Sequence, residues 1–556
     1  MNRYWGAWVA VLFILLVGAS CSPAAQDGTP TATAQPAEPR ALLNMKAEMF
    51  STSGQCSACH TGLKTAAGMD VSIDTDWRST MMANSARDPY YRASVRREIL
   101  ANPDYDEFIQ DKCSTCHVPM AHFTIAAAGG KTAMLDDGVF ASTHPDQALA
   151  LDGVSCTLCH QIQAEKLGMA ESFSGGLIFD QNKPAGEREL YGQFPVAESW
   201  VTVMQAASGF VPVQATHTEQ SSLCATCHNL FTPYIDNDGK VSEVLFPEQT
   251  PYTEWENSVY ANGVSCQNCH MPDAGEAVAI STVNPEKKSP FRQHTFIGGN
   301  QFMLGLLQAN GDALGVTALD AHFEQTIQLT EQQLAEKTAK LSLLPKIEGE
   351  ILNLQVKIEN LTGHKFPTSF PSRRVWLHVV VTDKNGTVVF ESGGWDEKGA
   401  ILGNINDQDV ARFEPHYEVI TLPDQVQIYE TIIGDPDGAA TTTLLRAQRY
   451  LKDNRLLAAG MDKGGLPVEI GVVGEAGQDA DFDDGSDSLI YQMPLNGDGP
   501  FQVTVELLYQ SIGYRWAENL RGEPFTEEAQ SFLDMLKKTP LTPVKVTQAS
   551  AEINLP

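Results

Sequence analysis

The feature that most constrains this chain is the motif Cys-x-x-Cys-His, which occurs five times. The copies are Cys56-Ser57-Ala58-Cys59-His60, Cys113-Ser114-Thr115-Cys116-His117, Cys156-Thr157-Leu158-Cys159-His160, Cys224-Ala225-Thr226-Cys227-His228 and Cys266-Gln267-Asn268-Cys269-His270. A single copy is open to other readings: a disulfide, a redox dithiol or half a zinc site. Five copies that all end in histidine and use ten of the eleven cysteines leave those readings almost no room. A zinc site has no need of a histidine always at that offset. Each motif reads instead as an attachment site for a c-type haem. The two thiols form thioethers to the porphyrin vinyl groups, one turn of chain spans both, and the next residue, histidine, falls under the iron. Five covalently attached haem c groups are the expected cofactors.

At 556 residues the chain is too long for one core, so two or more domains are expected. A net charge of -31 argues against nucleic-acid binding and favours solubility and basic redox partners. Asn2-Arg3, the apolar run Trp8 to Val17 and the small residues Gly18-Ala19-Ser20 read as a signal peptide over 1–20. The run is short for a membrane span. Export to the periplasm, the outer membrane or the cell surface fits the cysteines, since haem is attached to such motifs outside the cytoplasm. Cys21 stands where a lipoprotein signal places its acylated cysteine, although Gly18 departs from the leucine that signal favours. Membrane attachment through a lipidated Cys21 and a leftover residue in a discarded peptide are both open. Residues 21–45, rich in Ala, Pro, Thr and Gln, suit a disordered tether.

Residues 46–305 are expected to form a mainly helical and irregular pentahaem domain. The motifs are irregularly spaced, so this is a string of haem sites rather than a solenoid. Asp88-Pro89 predicts a helix start, with an end near Leu100 enforced by Asn102-Pro103. Thr250-Pro251 predicts another helix through Glu254, Trp255 and Tyr260. Residues 306–348 are expected to be a helical connector, with a helix from about Ala318 to Lys340. From 349 to 556 the pattern changes to a β-sandwich of immunoglobulin-like type. Leu352, Leu354, Val356 and Ile358 alternate with polar residues, Val375–Thr382 reads as a strand, and Asn385-Gly386 marks a hairpin into Val388-Val389-Phe390. Val426–Thr431 and Phe501–Leu508 are further strands, and Glu527–Lys537 a late helix. The aspartates at 479, 481, 483 and 484 miss the spacing of an EF-hand loop, with glycine one place late and no bidentate glutamate.

Several stretches carry a family likeness. They are Trp77 to Pro89, Gly153-Val154-Ser155-Cys156, Pro247-Glu248-Gln249-Thr250-Pro251-Tyr252, Gly263-Val264-Ser265-Cys266 with Met271-Pro272, and His294-Thr295-Phe296-Ile297-Gly298-Gly299-Asn300. Over roughly residues 50 to 305 the chain resembles the multihaem cytochromes c related to the tetrahaem cytochrome of ammonia oxidisers and to hydroxylamine oxidoreductase. In such relatives the position of Met82 often carries a histidine that binds iron from the far side.

Each iron needs a second ligand from the face opposite its motif histidine, so a residue near one motif is expected to serve a neighbouring haem. Of the eight other histidines, His122, His217, His294 and His144 are candidates, and Met82 is a thioether alternative that would raise one potential. His364 lies in a loop with Pro367, Pro371, Lys365, Arg373 and Arg374. That loop is expected to meet the haem region, with His364 capping an iron and a basic neighbour pairing with propionates. His322, on a helix, and His378, in a strand, read as structural. Electron relay through covalent haems is the leading expectation. The alternative is an oxidoreductase acting on a small nitrogen or sulfur compound at one open haem. All five motifs here end in histidine, whereas pentahaem nitrite reductases generally carry one that ends in lysine.

Overall fold

The structure, a computed structural model, describes residues 40–496 and 498–554. The signal segment, Cys21 and most of the tether lie outside the described residues. No helix among them is long and apolar enough to cross a membrane.

The first half is made mainly of short helices, with three two-stranded sheets among them. Asp88 caps the helix Pro89–Ala101 by accepting the N–H groups of Tyr90 and Tyr91 at 2.8 and 3.1 Å. The cap satisfies two donors that the first turn leaves without partners. Tyr91, Val95 and Ile99 on this helix share a core with Ile109 of the second-motif helix, Asp106–His117. The other motifs lie on Gly54–His60, Cys156–Cys159, Ser221–His228 and Cys266–His270. The helix opened by Thr250-Pro251 stops at Glu256, and Tyr260 follows on a 3-10 turn over Val259–Ala261. The Ser258 hydroxyl accepts the Tyr260 N–H at 3.2 Å, a local bond that competes with helix continuation.

The helix Asp320–Lys337 leads directly into strand β1, Ala339–Glu348, which begins inside the stretch expected to be a helical connector. β1 pairs with β2 (Ile351–Asn360) in the register Leu341↔Ile358 and Leu343↔Val356. Leu352, Leu354, Val356 and Ile358 of β2 are wholly buried. The other strands of the two large sheets are β3 (Arg374–Thr382), β4 (Val388–Ser392), β5 (Val419–Ile420), β6 (Ile428–Tyr429), β7 (Ser486–Pro494), β8 (Phe501–Gln510) and β9 (Val544–Ile553). One sheet has the order β5-β7-β2-β1 and the other β4-β3-β8-β9, with β6 on β3. Apolar side chains of both sheets meet in one core, among them Leu354, Val356, Val379, Val381, Tyr491 and Val505. All pairs in these sheets are antiparallel except β5 with β7, which is parallel.

The strand expected over Val426–Thr431 is split. Ile428–Tyr429 joins β3, while Thr431–Gly434 pairs with Arg449–Asp453 in a separate small sheet. Glu430 sits at the break. Its N–H donates to Asn454 Oδ1 at 3.0 Å, and its carboxylate accepts from the buried Lys452 at 3.1 Å. Between β2 and β3 the loop 361–373 crosses residues 249–260: Tyr260 donates to Leu361 O at 2.8 Å and Ser369 to Gln249 Oε1 at 2.6 Å.

Candidate haem centres

The ten motif cysteines are free thiols, all partly buried except the exposed Cys269. Cysteines of different motifs meet. Cys56 is a neighbour of Cys156, Cys116 of Cys227, and Cys224 of Cys266. Those contacts, with burial, push Cys156, Cys116 and Cys224 well above the ordinary thiol range. A thioether sulfur carries no proton, so these directions belong to the unmodified chain.

Further bonds brace the motifs against one another. Thr157 accepts the Ser51 N–H at 3.1 Å and donates to Ser51 O at 2.7 Å. Asp152 accepts the N–H and hydroxyl of Ser53 at 2.7 and 2.6 Å, and together these hold the first motif to the third. The Cys266 N–H donates to Ser221 Oγ at 3.0 Å, and Gln267 donates to Thr218 O and Gln220 O, joining the fifth motif to the fourth. Gly175 threads between the second and fourth motifs. Its N–H donates to Thr226 O at 2.7 Å, its φ is +84°, and a Cβ there would overlap Thr115.

The motif histidines are neutral. Burial lowers His117 and His228 to about 4 and lowers His60, His160 and His270 as well. Metal ligation demands this state. His60 Nδ1 faces Ile280 O at 2.8 Å, His160 Nδ1 faces Tyr191 O at 2.6 Å, and His270 Nδ1 faces Ile297 O. A carbonyl there takes the Nδ1–H and leaves Nε2 with the free lone pair, an arrangement metal-binding histidines share.

Two of these rings face a second histidine. His160 and His294 have ring centres 6.4 Å apart at 22°, and His270 and His364 have theirs 6.3 Å apart at 15°. In both partners Nδ1 is again tied to a carbonyl: His294 to Arg292 O at 3.1 Å, His364 to Lys365 O at 2.9 Å. Burial lowers His294 to about 3 and lowers His364 too. Two metal–nitrogen bonds of about 2 Å each plus two ring radii separate ring centres by roughly 6 Å. Both gaps fit one metal ion held between two imidazoles.

The other candidates are placed differently. The ring of His122 is taken up by hydroxyls, with Nδ1 2.8 Å from Ser114 Oγ and Nε2 3.4 Å from Thr115 Oγ1. His217 Nε2 faces Ile162 O at 2.8 Å, which leaves Nδ1 as its free nitrogen. His144 Nδ1 accepts the Asp146 N–H at 3.1 Å within its loop. Met82 lies beside the third motif, its carbonyl accepting the Val154 N–H at 3.0 Å. Among the basic residues near His364, Lys365 and Arg374 are spent on buried carboxylates, Asp453 and Asp407, at 2.8 Å each. Arg373 has no carboxylate partner among the described residues. His322 accepts the Leu319 N–H at its helix start, and His378 lies between Glu506 and Glu391. Sequence reasoning missed Tyr91, whose ring stacks on His117 with centres 3.7 Å apart at 3°. The His117 Nδ1 is buried without a partner.

In the sheets, His416 meets Asp479 and Asp487 with Nε2 to carboxylate distances of 3.2 and 3.8 Å. Gln427 and Asn454 both donate amide N–H to its Nδ1, at 2.8 and 3.1 Å. Their orientations are set by Tyr417 N–H on Gln427 Oε1 and Glu430 N–H on Asn454 Oδ1. The ring proton therefore sits on Nε2 and points at Asp479, which leaves no lone pair for a metal.

Paired thiols one turn apart, neutral histidines with Nε2 free and two ring gaps of metal–bis-imidazole size all fit c-type haem. The fold is that of a multihaem cytochrome c. Among solved structures the chain is similar to a penta-heme cytochrome c552 from Thermochromatium tepidum, with a TM-score of 0.50 and 17% identity, covering 90% of this chain and 98% of that one. No protein-family profile and no curated protein matches it.

Proposed function

We propose that the protein is an exported pentahaem c-type cytochrome that relays electrons between redox partner proteins. Each Cys-x-x-Cys-His motif would hold one haem c through its thiols and its histidine Nε2. Haem c, when bound, supplies a one-electron couple that needs no open coordination site. The observation that carries the reading is that every motif is joined to another. The first is braced to the third through Ser51 and Thr157, the second meets the fourth at Cys116 and Cys227, the fourth is bonded to the fifth through Ser221 and Cys266, and His217 ahead of the fourth faces Ile162 O just after the third. A relay requires such continuity; a set of isolated sites would lack it.

His294 and His364 are the proposed second ligands opposite His160 and His270, where they shut out small molecules. Arg373, close enough to influence both His228 and His364, is the basic residue left to face a propionate. The acidic surface favours a basic partner. Residues 1–20 would direct export, and Cys21, if acylated, would hold the molecule at a membrane. An immunoglobulin-like reading of residues 339–554 is supported by the strand orders β5-β7-β2-β1 and β4-β3-β8-β9, which parallel the two sheets of that fold.

The test is to produce the protein in a host that matures cytochromes and to measure its intact mass, its electron paramagnetic resonance spectrum and carbon monoxide uptake after full reduction. Five haem additions with low-spin signals from two bis-histidine sites are expected. A bare-chain mass would overturn the cofactor assignment. Rapid carbon monoxide uptake joined to turnover of a small nitrogen or sulfur compound would replace the relay by an enzyme.

A further inference from the structure

His364 is carried by a loop, yet its position opposite His270 is fixed by four charged residues from three distant parts of the chain. Lys365, the next residue, is wholly buried and its Nζ donates to Asp453 Oδ2 at 2.8 Å. Asp453 also receives Arg455, with Nε on Oδ1 at 2.9 Å and Nη2 on Oδ2 at 2.8 Å. Arg455 Nη1 continues to Glu254 Oε1 at 2.9 Å. The other oxygen of Glu254 returns to the loop, accepting the Lys365 N–H at 3.1 Å and the Thr368 hydroxyl. Burial opposes the charge on Asp453, but Arg455 and Lys365 outweigh it and hold its carboxyl at about 2.

The circuit closes on the loop and on the approach to the fifth motif. Glu254 lies on the helix Pro251–Glu256, and its neighbour Trp255 donates to Val264 O at 2.8 Å, just before Cys266. On the other side, Asn360 donates to His364 O at 2.9 Å and to Leu457 O at 2.9 Å, beside Arg455. Two cations and two carboxylates cancel, so the cluster is electrically balanced with almost no solvent contact. Such a cluster adds little net stability over apolar packing, but it tolerates only one geometry.

We infer that Glu254, Arg455, Asp453 and Lys365 form a positioning clamp that holds His364 at ligand distance from the metal bound by His270. The inference rests on His364 being an iron ligand, as proposed above. It gives a role to Asp453 and Arg455, two buried charges far along the chain from the motifs.

The test uses the holoprotein and the variants Glu254→Gln, Arg455→Met and Arg455→Lys, with His364→Ala as reference. Electron paramagnetic resonance of the oxidised protein and carbon monoxide uptake of the reduced protein are the readouts. Glu254→Gln and Arg455→Met should convert one low-spin haem to high spin and add one carbon monoxide site per chain. Arg455→Lys keeps the charge but not the bidentate geometry, and should restore the low-spin signal only in part. If the single variants do not fold, Lys365→Met combined with Asp453→Asn removes a cation and an anion together and should show the same conversion. Wild-type spectra in folded clamp variants, alongside an altered His364→Ala, would overturn the clamp alone. A His364→Ala protein with unchanged spectra would remove the ligand reading beneath it.

Discussion

The two facing histidine pairs reach nearly the same ring separation by different means. His294 follows the last motif by a short stretch of chain and its ring Nδ1 is tied to Arg292 O, while the nearby Asp76 is a buried carboxyl that burial and then Asp70 raise to about 7. The nearby cation, Arg78, is engaged by Asp74 at 2.7 Å, so Asp76 has no charged partner among the described residues. His364 comes from a loop between two sheets and is held by an ion network in which every charge has an opposite. The same ring geometry is thus reached with a hydrogen bond to a carbonyl two residues away at His294, and with a closed ion network around the loop at His364.

The sharpest way to break this comparison is to remove one carboxylate from each site. Glu254→Ala leaves two buried cations, Arg455 and Lys365, sharing the one carboxylate of Asp453, and should destabilise the holoprotein by about 3–5 kcal/mol in thermal or denaturant unfolding. Asp76→Asn keeps the side-chain shape and removes an unpaired buried acid, so it should cost less than about 1 kcal/mol. Equal losses would erase the contrast. A smaller effect is expected from Asn360→Ala, which leaves the carbonyls of His364, Leu456 and Leu457 without their shared donor and should cost about 1–3 kcal/mol. Its spectral change should be confined to the haem of His270. Asp88→Ala removes a helix cap remote from the His270 pair and should lower stability by about 1 kcal/mol without altering the His364 signal.

Asp487 serves as the control with no expected effect on either site. Burial pushes its carboxyl up to about 7 from 3.8, with Asp479 and Asp481 adding to the rise against the hydrogen bond from Tyr429. The native state therefore holds this proton more tightly than the unfolded chain does. The contribution is full below about pH 4 and is lost as pH rises through about 7. Asp487→Asn should flatten that part of an unfolding-against-pH curve while both histidine pairs keep their spectra.

Much of this was legible in the residues, and the gaps have physical causes. Asp88-Pro89 and Asn102-Pro103 bounded the helix Pro89–Ala101 because caps and proline act locally. Alternation located β2, and Asn385-Gly386 marked the hairpin after Thr382, for the same reason. β1 was hidden because its alternating Leu341 and Leu343 follow a long helix without a turn signal between them. The break at Glu430 was hidden too, since it depends on Asn454 and Lys452 far along the chain. Histidine type and motif proximity could raise candidates, but not say which way a ring nitrogen faces. The hydroxyls around His122 and the carboxylates that claim Lys365 and Arg374 come together only in three dimensions. Two rings facing across a metal-sized gap are likewise a property of packing.

The loop that carries His364 has a consequence for how the molecule is made. Residue 294 precedes every strand of the two large sheets, so with the proposed ligation the His160 pair could close before those sheets form. The His270 pair would have to wait until Asp453 and Arg455 have found their places. Maturation would then have a built-in order, in which the last centre to be finished also certifies that the C-terminal half has folded.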